Sequence, residues 1–105
     1  MGSDSARSAA GSGGKSPAIS AAVTPPQLIV TGHRFSPHQW VTIRVIDSDE
    51  MTNYFEYLTD AAGDLVAALP TSISRGILQI SATDGQADPG DETGLRWTNT
   101  DTMIW

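Results

Sequence analysis

Two histidines and two aspartates are the first residues in this chain whose types could do chemistry together. His33 and His38 lie five positions apart around a turn, and Asp47 and Asp49 follow the next apolar run. Imidazole and carboxylate groups bind zinc and related metals, but a site also needs a third converging ligand and oriented partners. The spacing supplies no third ligand, so we predict surface histidines and no metal site.

The acidic residues after position 83 could serve a hard cation. Asp84, Asp88, Asp91 and Glu92 offer carboxylate oxygens, and Ca²⁺ takes about six to eight oxygen ligands. Their order lacks the Asp-x-Asp-x-Asp-Gly spacing of an EF-hand loop. We therefore predict a solvated acidic loop over 86–94 and no bound cofactor.

Nucleophilic and carboxylate catalysis have no better support. Serine and histidine are present, but there is no Gly-x-Ser-x-Gly elbow to expose a nucleophile. No pair of carboxylates can be placed across a glycosidic bond. The chain has no cysteine, which excludes thiol nucleophiles, disulfides and zinc-cysteine sites. We predict that the protein is not an enzyme.

Tryptophans give the strongest surface signal. Trp40 begins a strand-like segment, Trp97 lies in the last such segment, and Trp105 is the final residue. A terminal Met103-Ile104-Trp105 could dock on a partner; alternatively, the last strand closes the domain and all three tryptophans are core or rim residues. Exposed Trp40 and Trp97 in one plane would instead suit stacking on sugar rings.

Length and charge bound the remaining classes. The 105 residues allow one domain with a modest core. The formal net charge is −6, and residues 25–105 carry four arginines against eleven acidic residues, which would repel phosphate backbones. No segment approaches the ~20 apolar residues of a membrane span. We predict neither a nucleic-acid nor a membrane partner.

Composition divides the chain into an arm at 1–24 and a folded body at 25–105. Residues 1–16 are mostly Gly, Ser and Ala, which cannot offset the entropy of folding alone, so the arm is either flexible or docked on a partner. The Pro25-Pro26 pair favours an extended path before the body. We expect partner contacts from Ala9, Ala10, Ile19, Val23, Met103, Ile104 and Trp105.

Alternating apolar residues predict strands throughout the body. In one segment Val41, Ile43 and Val45 share a face opposite Thr42 and Arg44, as in a half-buried strand. Short connections rich in Asp, Gly and Pro imply antiparallel hairpins. We predict an all-β sandwich of about seven antiparallel strands, at 18–23, 27–32, 40–46, 52–58, 64–69, 76–83 and 95–104.

An ordered series of motifs covers a little over half of the chain, from Leu28 to Gly85. The series begins with a turn at Gly32, Phe35 and Pro37 and an alternating strand at Val41, Ile43 and Val45. A hairpin turn at Thr59, Asp60 and Gly63 and a Leu69-Pro70 step follow. The series ends in a closing strand with Gly76, Ile80, Ala82, Asp84 and Gly85. The series resembles the immunoglobulin-like (Big-type) repeats of bacterial and phage proteins. The resemblance implies a single immunoglobulin-like β-sandwich in which these residues are structural, with Phe35 plugging the core beneath its turn.

The resemblance also implies a structural or interaction protein. We expect a bacteriophage virion component made in the host cytoplasm, such as an actinobacteriophage capsid decoration (head accessory) protein, because the chain begins at Met1 without the apolar run of a secretory signal. Its arm would dock on the major capsid protein or another virion protein, and a homo-oligomer is a further partner we consider. The alternative is a carbohydrate-binding or adhesion module on a phage tail or a cell surface, with Trp40 and Trp97 stacking on a host glycan.

Overall fold

The computed structural model describes residues 16–105, and this part of the chain is all-β. The strands are β1 (Ala18–Thr24), β2 (Gln27–His33), β3 (Trp40–Ile46), β4 (Thr52–Leu58), β5 (Leu65–Leu69), β6 (Ile77–Ala87), β7 (Leu95–Trp97) and β8 (Asp101–Ile104). They form two antiparallel sheets, one in the order β1-β2-β5 and one in the order β4-β3-β6, with both β7 and β8 pairing with β6. The predicted all-β class and its two-sheet construction are confirmed.

Two strand boundaries differ from the sequence prediction. β6 continues past the Asp84-Gly85 step to Ala87, with a register shift between Thr83 and Ala87 where it pairs with β7. The single strand predicted at 95–104 is divided into β7 and β8. A bulge lets a strand pass through a glycine that would otherwise end it, which local turn signals do not reveal.

The core lies between the sheets and follows the alternation of side chains along each strand. The fully buried members include Leu28 and Val30 of β2, Val41, Ile43 and Val45 of β3, and Leu78, Ile80 and Ala82 of β6. Burial of each large apolar side chain contributes about 1.5–3 kcal/mol. The two sheets are therefore held together by the period-two pattern that the sequence displays.

Phe35 closes one end of this core, as expected. It is buried, and its backbone N–H donates to the Gly63 carbonyl over 3.1 Å, which joins the β2–β3 loop to the β4–β5 turn. Gly63 has φ +78°, and a Cβ there would overlap the Phe35 carbonyl oxygen. Only glycine fits at this position for both reasons.

β1 belongs to the folded unit, although the composition placed the boundary after it. It pairs with β2 along its whole length, from Ala18↔His33 to Thr24↔Gln27, and Pro25-Pro26 forms the turn between them. The Asn99 side chain accepts from the Ile19 N–H and donates to the Ile19 carbonyl, while the Asp101 carboxylate accepts from the Ala21 N–H over 2.7 Å. These bonds tie the edge of the first sheet to the chain just before and within β8 of the second.

Candidate binding face

The outward side of the sheet that contains β3 carries the most unusual surface of the described residues. Because side chains alternate along a strand, every second residue of β3, β4 and β6 points away from the core. We call this surface the outer face, and its members are Trp40, Thr42, Arg44 and Ile46 of β3, Thr52, Tyr54, Glu56 and Leu58 of β4, Ile77, Gln79, Ser81 and Thr83 of β6, Trp97 of β7, and Thr102 and Ile104 of β8.

One corner of the outer face is an exposed aromatic and aliphatic pair. Trp40 and Leu58 stand directly opposite each other on β3 and β4, and they are 58% and 51% exposed. Tyr54, 61% exposed, lies further along β4 opposite Arg44. Adjacent large apolar side chains that are exposed together, as Trp40 and Leu58 are, are typical of interaction sites.

Trp97 is held in a fixed orientation on the same face. The Arg44 guanidinium carbon lies 4.0 Å from the centroid of its ring, and the Arg44 Nε–H donates to the Ser81 hydroxyl over 3.2 Å. The Trp97 Nε1–H donates to the Thr93 hydroxyl over 2.8 Å. A cation–π contact of this kind contributes roughly 0.5–2 kcal/mol. Arg44 therefore covers one side of the Trp97 ring, and the ring is half-buried.

An open groove of about 490 Å³ lies beside this stacked pair. Its lining includes Arg44, Trp97 and the 90–93 loop segment. The Asp91 carboxylate accepts from both the N–H and the hydroxyl of Thr93, and these bonds lower the pKa of Asp91 below its ordinary value. The Asp88 carboxylate accepts from the Gly90 N–H over 3.0 Å. These two loop carboxylates are thus engaged in shaping turns.

A second apolar corner lies at the other end of the outer face. Ile77 and Ile104 are cross-strand partners on β6 and β8, and they are 56% and 76% exposed. A second groove next to them has Ile46, Ile77 and Gln79 in its lining. The outer face therefore has two apolar corners separated by the polar and cationic side chains of its centre.

The residues first considered for metal chemistry lie apart. The His33 ring contacts the Asp64 carboxylate at 3.1 Å at the surface, whereas the Asp47 carboxylate accepts from the Asp49 and Met51 N–H groups and so caps the β3–β4 turn. Over residues 16–105, no group of three or more His, Asp or Glu side chains converges to hold a metal ion.

Asp84 is a buried, hydrogen-bonded residue, although the sequence groups it with the residues of a predicted solvated acidic loop. Its carboxylate is buried and accepts from the Ser36 N–H over 2.9 Å, from Arg96 Nη2 over 2.6 Å and from the Gln86 N–H over 3.3 Å. Burial by itself raises the pKa of Asp84, but these hydrogen bonds outweigh it, and the net pKa is below the ordinary value. Asp84 joins the β2–β3 loop to β6 and β7, which is a structural role.

The residues expected to contact a partner differ in how exposed they are. Ala9 and Ala10 lie outside the described residues. Ile19 is buried in the chain's own core, Val23 is partly exposed, Met103 packs against the core, and Ile104 points outward. Of the described members, Ile104 and Val23 are the ones most open to a partner.

Trp105 follows the alternative in which the last strand closes the sandwich. Its ring is buried, its Nε1–H donates to the Ile73 carbonyl over 2.9 Å, and the Arg75 guanidinium carbon lies 3.9 Å from the ring centroid. Backbone bonds in both directions with Gly76 fix the chain end. Trp105 and Ile19 are therefore core residues. The expectation that these two side chains contact a partner is corrected, because both are buried within the domain.

Comparison with protein-family models, with curated proteins and with solved structures finds no match to this chain. Within residues 16–105, no helix has the length and apolar character needed to cross a bilayer. The function is therefore inferred from the geometry of the chain itself.

Proposed function

We propose that this chain is a non-enzymatic interaction protein, an immunoglobulin-like β-sandwich that binds a partner protein through the outer face. The finer assignment within this class is a structural component of a phage virion, such as a capsid decoration protein anchored through its N-terminal arm. The observation that carries the proposal is the exposed Trp40–Leu58 pair, with the exposed Tyr54 further along β4 on the same sheet face.

The strand order supports the immunoglobulin-like part of the proposal. In immunoglobulin sandwiches the first, second and fifth strands share one sheet, and the third, sixth and seventh share the other. Here β1-β2-β5 and β3-β6-β7 follow the same division, and β4 joins the sheet of β3. The position of the fourth strand varies among sandwiches of this architecture, so it is compatible with the assignment.

The contrast between the two sheets supports the outer face as the binding surface. The outward side of β1-β2-β5 carries small side chains, namely Ser20, Ala22, Thr31 and Ala68, together with the aliphatic Ile29 and Val66, and these three strands contain no Trp, Tyr or Arg. Protein interfaces have buried centres enriched in Trp, Tyr and Arg. Trp40, Tyr54 and Arg44 supply these residue types on the outer face alone.

The virion assignment is supported by the motif series of the sequence and by the charge. A strongly acidic body suits a domain that projects from a capsid, because like charge keeps neighbouring copies from associating indiscriminately. The arm would make the anchoring contact. Since β1 starts at Ala18 and belongs to the sandwich, the part of the arm available for anchoring without unfolding the domain ends near Lys15.

Co-sedimentation of the purified chain with virions or empty capsids of the parent phage tests the proposal. We expect the double variant Trp40→Ala/Leu58→Ala to bind at least about 30-fold more weakly, as for interface hot spots worth ~2 kcal/mol. Val66→Ala, a change at an even more exposed side chain on the other sheet, should bind as the wild type does. A chain without residues 1–15 should also lose binding if the arm is the anchor.

Three results would contradict parts of this proposal separately. Failure to detect the chain in purified virions removes the virion assignment. Wild-type binding by the double variant removes the outer face as the interface. Wild-type binding by the truncated chain removes the arm as the anchor.

A second candidate function is carbohydrate binding, favoured by the exposure of Trp40 on the face that also carries Tyr54 and Trp97. Aromatic rings supply flat apolar surfaces, although one side of the Trp97 ring is covered by Arg44. Titration with cell-wall oligosaccharides, followed by tryptophan fluorescence, should then show saturable binding that Trp40→Ala abolishes. Absence of saturation in the wild type would eliminate this candidate.

A further inference from the structure

Within residues 16–105, the sandwich closes most of its sheet edges but leaves one open. An edge strand exposes a row of backbone N–H and C=O groups that can pair with another strand, and proteins usually block such rows. At β1 the block consists of the Asn99 and Asp101 side chains. At β5 the Tyr57 hydroxyl donates to the Ala68 carbonyl over 3.0 Å, and the remaining edge strands, β7 and β8, have only three and four residues.

β4 has none of these protections. Its seven residues pair with β3 in unbroken register, from Trp40↔Leu58 to Ile46↔Thr52. The strand contains no proline, glycine or lysine, and Glu56 is its one charged residue. Among the residues the structure describes, no side chain bonds to a backbone group of β4. A long, regular and mostly uncharged edge of this kind is a template for strand pairing.

The hydrogen bonds at the two ends of the β3–β4 hairpin show which backbone groups are free. The Thr59 N–H donates to the Gln39 carbonyl, and the Asp47 N–H donates to the Met51 carbonyl, each over 3.0 Å. Both are bonds between directly opposed residues at odd positions. Because hydrogen-bonded and non-hydrogen-bonded pairs alternate, the odd residues of β4 face β3 and the even residues face the open edge. The free groups belong to Thr52, Tyr54, Glu56 and Leu58.

We infer that two copies of this chain pair antiparallel through β4, around a two-fold axis that passes beside Phe55. In this register Thr52 lies opposite Leu58 of the second copy, and Tyr54 lies opposite Glu56 of the second copy. All four outward residues of each strand then form hydrogen-bonded pairs. The two sheets become one continuous sheet, and the two outer faces become one surface.

Backbone pairing and charge favour this register over a one-residue slip and over an axis at Glu56. If the second β4 strand slipped by one residue, the free backbone groups of the even residues would lie opposite odd residues, whose backbone groups already bond to β3. The free groups would then have no partner. A shift of the axis to Glu56 would oppose the two carboxylates, which is destabilising. With the axis beside Phe55, each Tyr54 lies between Arg44 of its own β3 and Glu56 of the second copy. A positive and a negative side chain therefore flank each tyrosine across the paired strands. A second copy therefore fits this edge in both length and charge.

The other segment of this chain that could occupy the edge is the N-terminal one. Residues 1–15 are dominated by Gly, Ser and Ala and contain no alternating apolar residues, so they lack the side chains of a paired strand. The inference does not rest on the proposed function, because it concerns the edge of β4, and either one can fail alone.

Sedimentation of the full chain from micromolar to millimolar concentration tests the pairing. We expect a concentration-dependent dimer in the wild type. Tyr54→Glu places like charges opposite each other twice and should weaken the dimer about tenfold, whereas Tyr54→Lys places opposite charges there and should strengthen it. Tyr54 is an exposed residue, so both variants should fold.

A cysteine pair tests the register, since the chain has no cysteine of its own. The two Phe55 Cα atoms would lie about 4.5 Å apart in a non-hydrogen-bonded pair, within disulfide range, so Phe55→Cys should cross-link on mild oxidation. Tyr57→Cys is the control on the same strand and side, because its two copies would be roughly 14 Å apart. A wild type that stays monomeric, Tyr54 variants that shift alike, or equal cross-linking by the two cysteines would overturn the inference.

Discussion

At the residue scale, Asp84 shows how a carboxylate in an acidic segment becomes a structural residue. Its oxygens accept from a loop N–H, an arginine and a strand N–H, and it is buried among them. A buried charge is tolerated when a partner and hydrogen bonds replace the water it loses. Asp84 and Arg96 therefore fix the position of the β2–β3 loop, which places Trp40 at the start of β3.

We expect Asp84→Asn to lower the free energy of unfolding by about 3 kcal/mol, because it leaves Arg96 without its charge partner. Denaturant unfolding at neutral pH measures this loss. Asp49→Asn is the matched control, since Asp49 is exposed at a turn and its substitution should change stability little. Equal stability of the two variants would show that the pair contributes nothing.

The same residue predicts a pH dependence. The folded pKa of Asp84 lies below its unfolded value of about 3.9, so its contribution is fully present above that pH and is lost as pH falls through the folded pKa. Asp60, whose pKa is lowered first by the Asp64 N–H and then by the Ala62 N–H, acts in the same direction. Below about pH 4, the free energy of unfolding should therefore decrease more steeply with falling pH for the wild type than for Asp84→Asn. Denaturant unfolding at a series of pH values measures this difference.

At the element scale, two turns far apart in the chain depend on each other. The β2–β3 loop carries Phe35 into the core, and the β4–β5 turn carries Gly63 against the Phe35 backbone. Strands β3 and β4, which present Trp40 and Leu58, lie between these turns. The outer face is therefore positioned by a contact at one end of the sandwich.

Gly63→Ala and Gly85→Ala distinguish two reasons why a turn requires glycine, a positive φ angle and a lack of space for a Cβ. Both glycines have similar positive φ values, +78° and +81°, but a Cβ at Gly85 meets nothing within 4 Å. We expect Gly85→Ala to cost about 1 kcal/mol for the backbone conformation alone, and Gly63→Ala to cost clearly more because of the Phe35 overlap. Thermal unfolding compares the two. Equal losses would mean that the Phe35 contact relaxes freely.

At the scale of the whole molecule, charge and the open edge act against each other. Each copy has a formal net charge of −6, so two copies repel at long range, whereas the β4 edges offer matched backbone groups at short range. Salt screens the repulsion between exposed charges beyond roughly 10 Å at 0.1 M but leaves backbone hydrogen bonds largely unchanged. The inferred dimer should therefore respond to ionic strength.

We expect the dimer to tighten severalfold as the salt concentration rises from about 0.02 M to about 0.3 M. Sedimentation equilibrium at fixed protein concentration measures this shift. The opposite trend, a dimer that weakens with added salt, would indicate an interface held by ion pairs and would argue against backbone pairing as its main source.

The strands and their inward residues could be predicted from the sequence because these properties are local. Val41, Ile43 and Val45 alternate with polar neighbours whatever the rest of the chain does, and Gly63 marks a turn within four residues of a strand. For the outer face, the sequence pattern indicates Trp40 and Trp97 as surface candidates. The pattern does not indicate Tyr54 and Leu58, because both faces of β4 carry aromatic or apolar residues and alternation alone does not show which face is exposed to water.

The sequence by itself determined the all-β class, the positions of the first five strands, the acidic charge and the role of Phe35, since each depends on neighbouring residues or on composition. The tertiary structure decided the burial of Trp105, the pairing of Asp84 with Arg96, the capping of β1 and the open edge at β4. The Ile19–Asn99 bond joins residues 80 positions apart, and the Ser36–Asp84 bond joins residues 48 apart. Such contacts follow from how the two sheets are stacked and ordered, and that arrangement leaves no periodic signature in the chain.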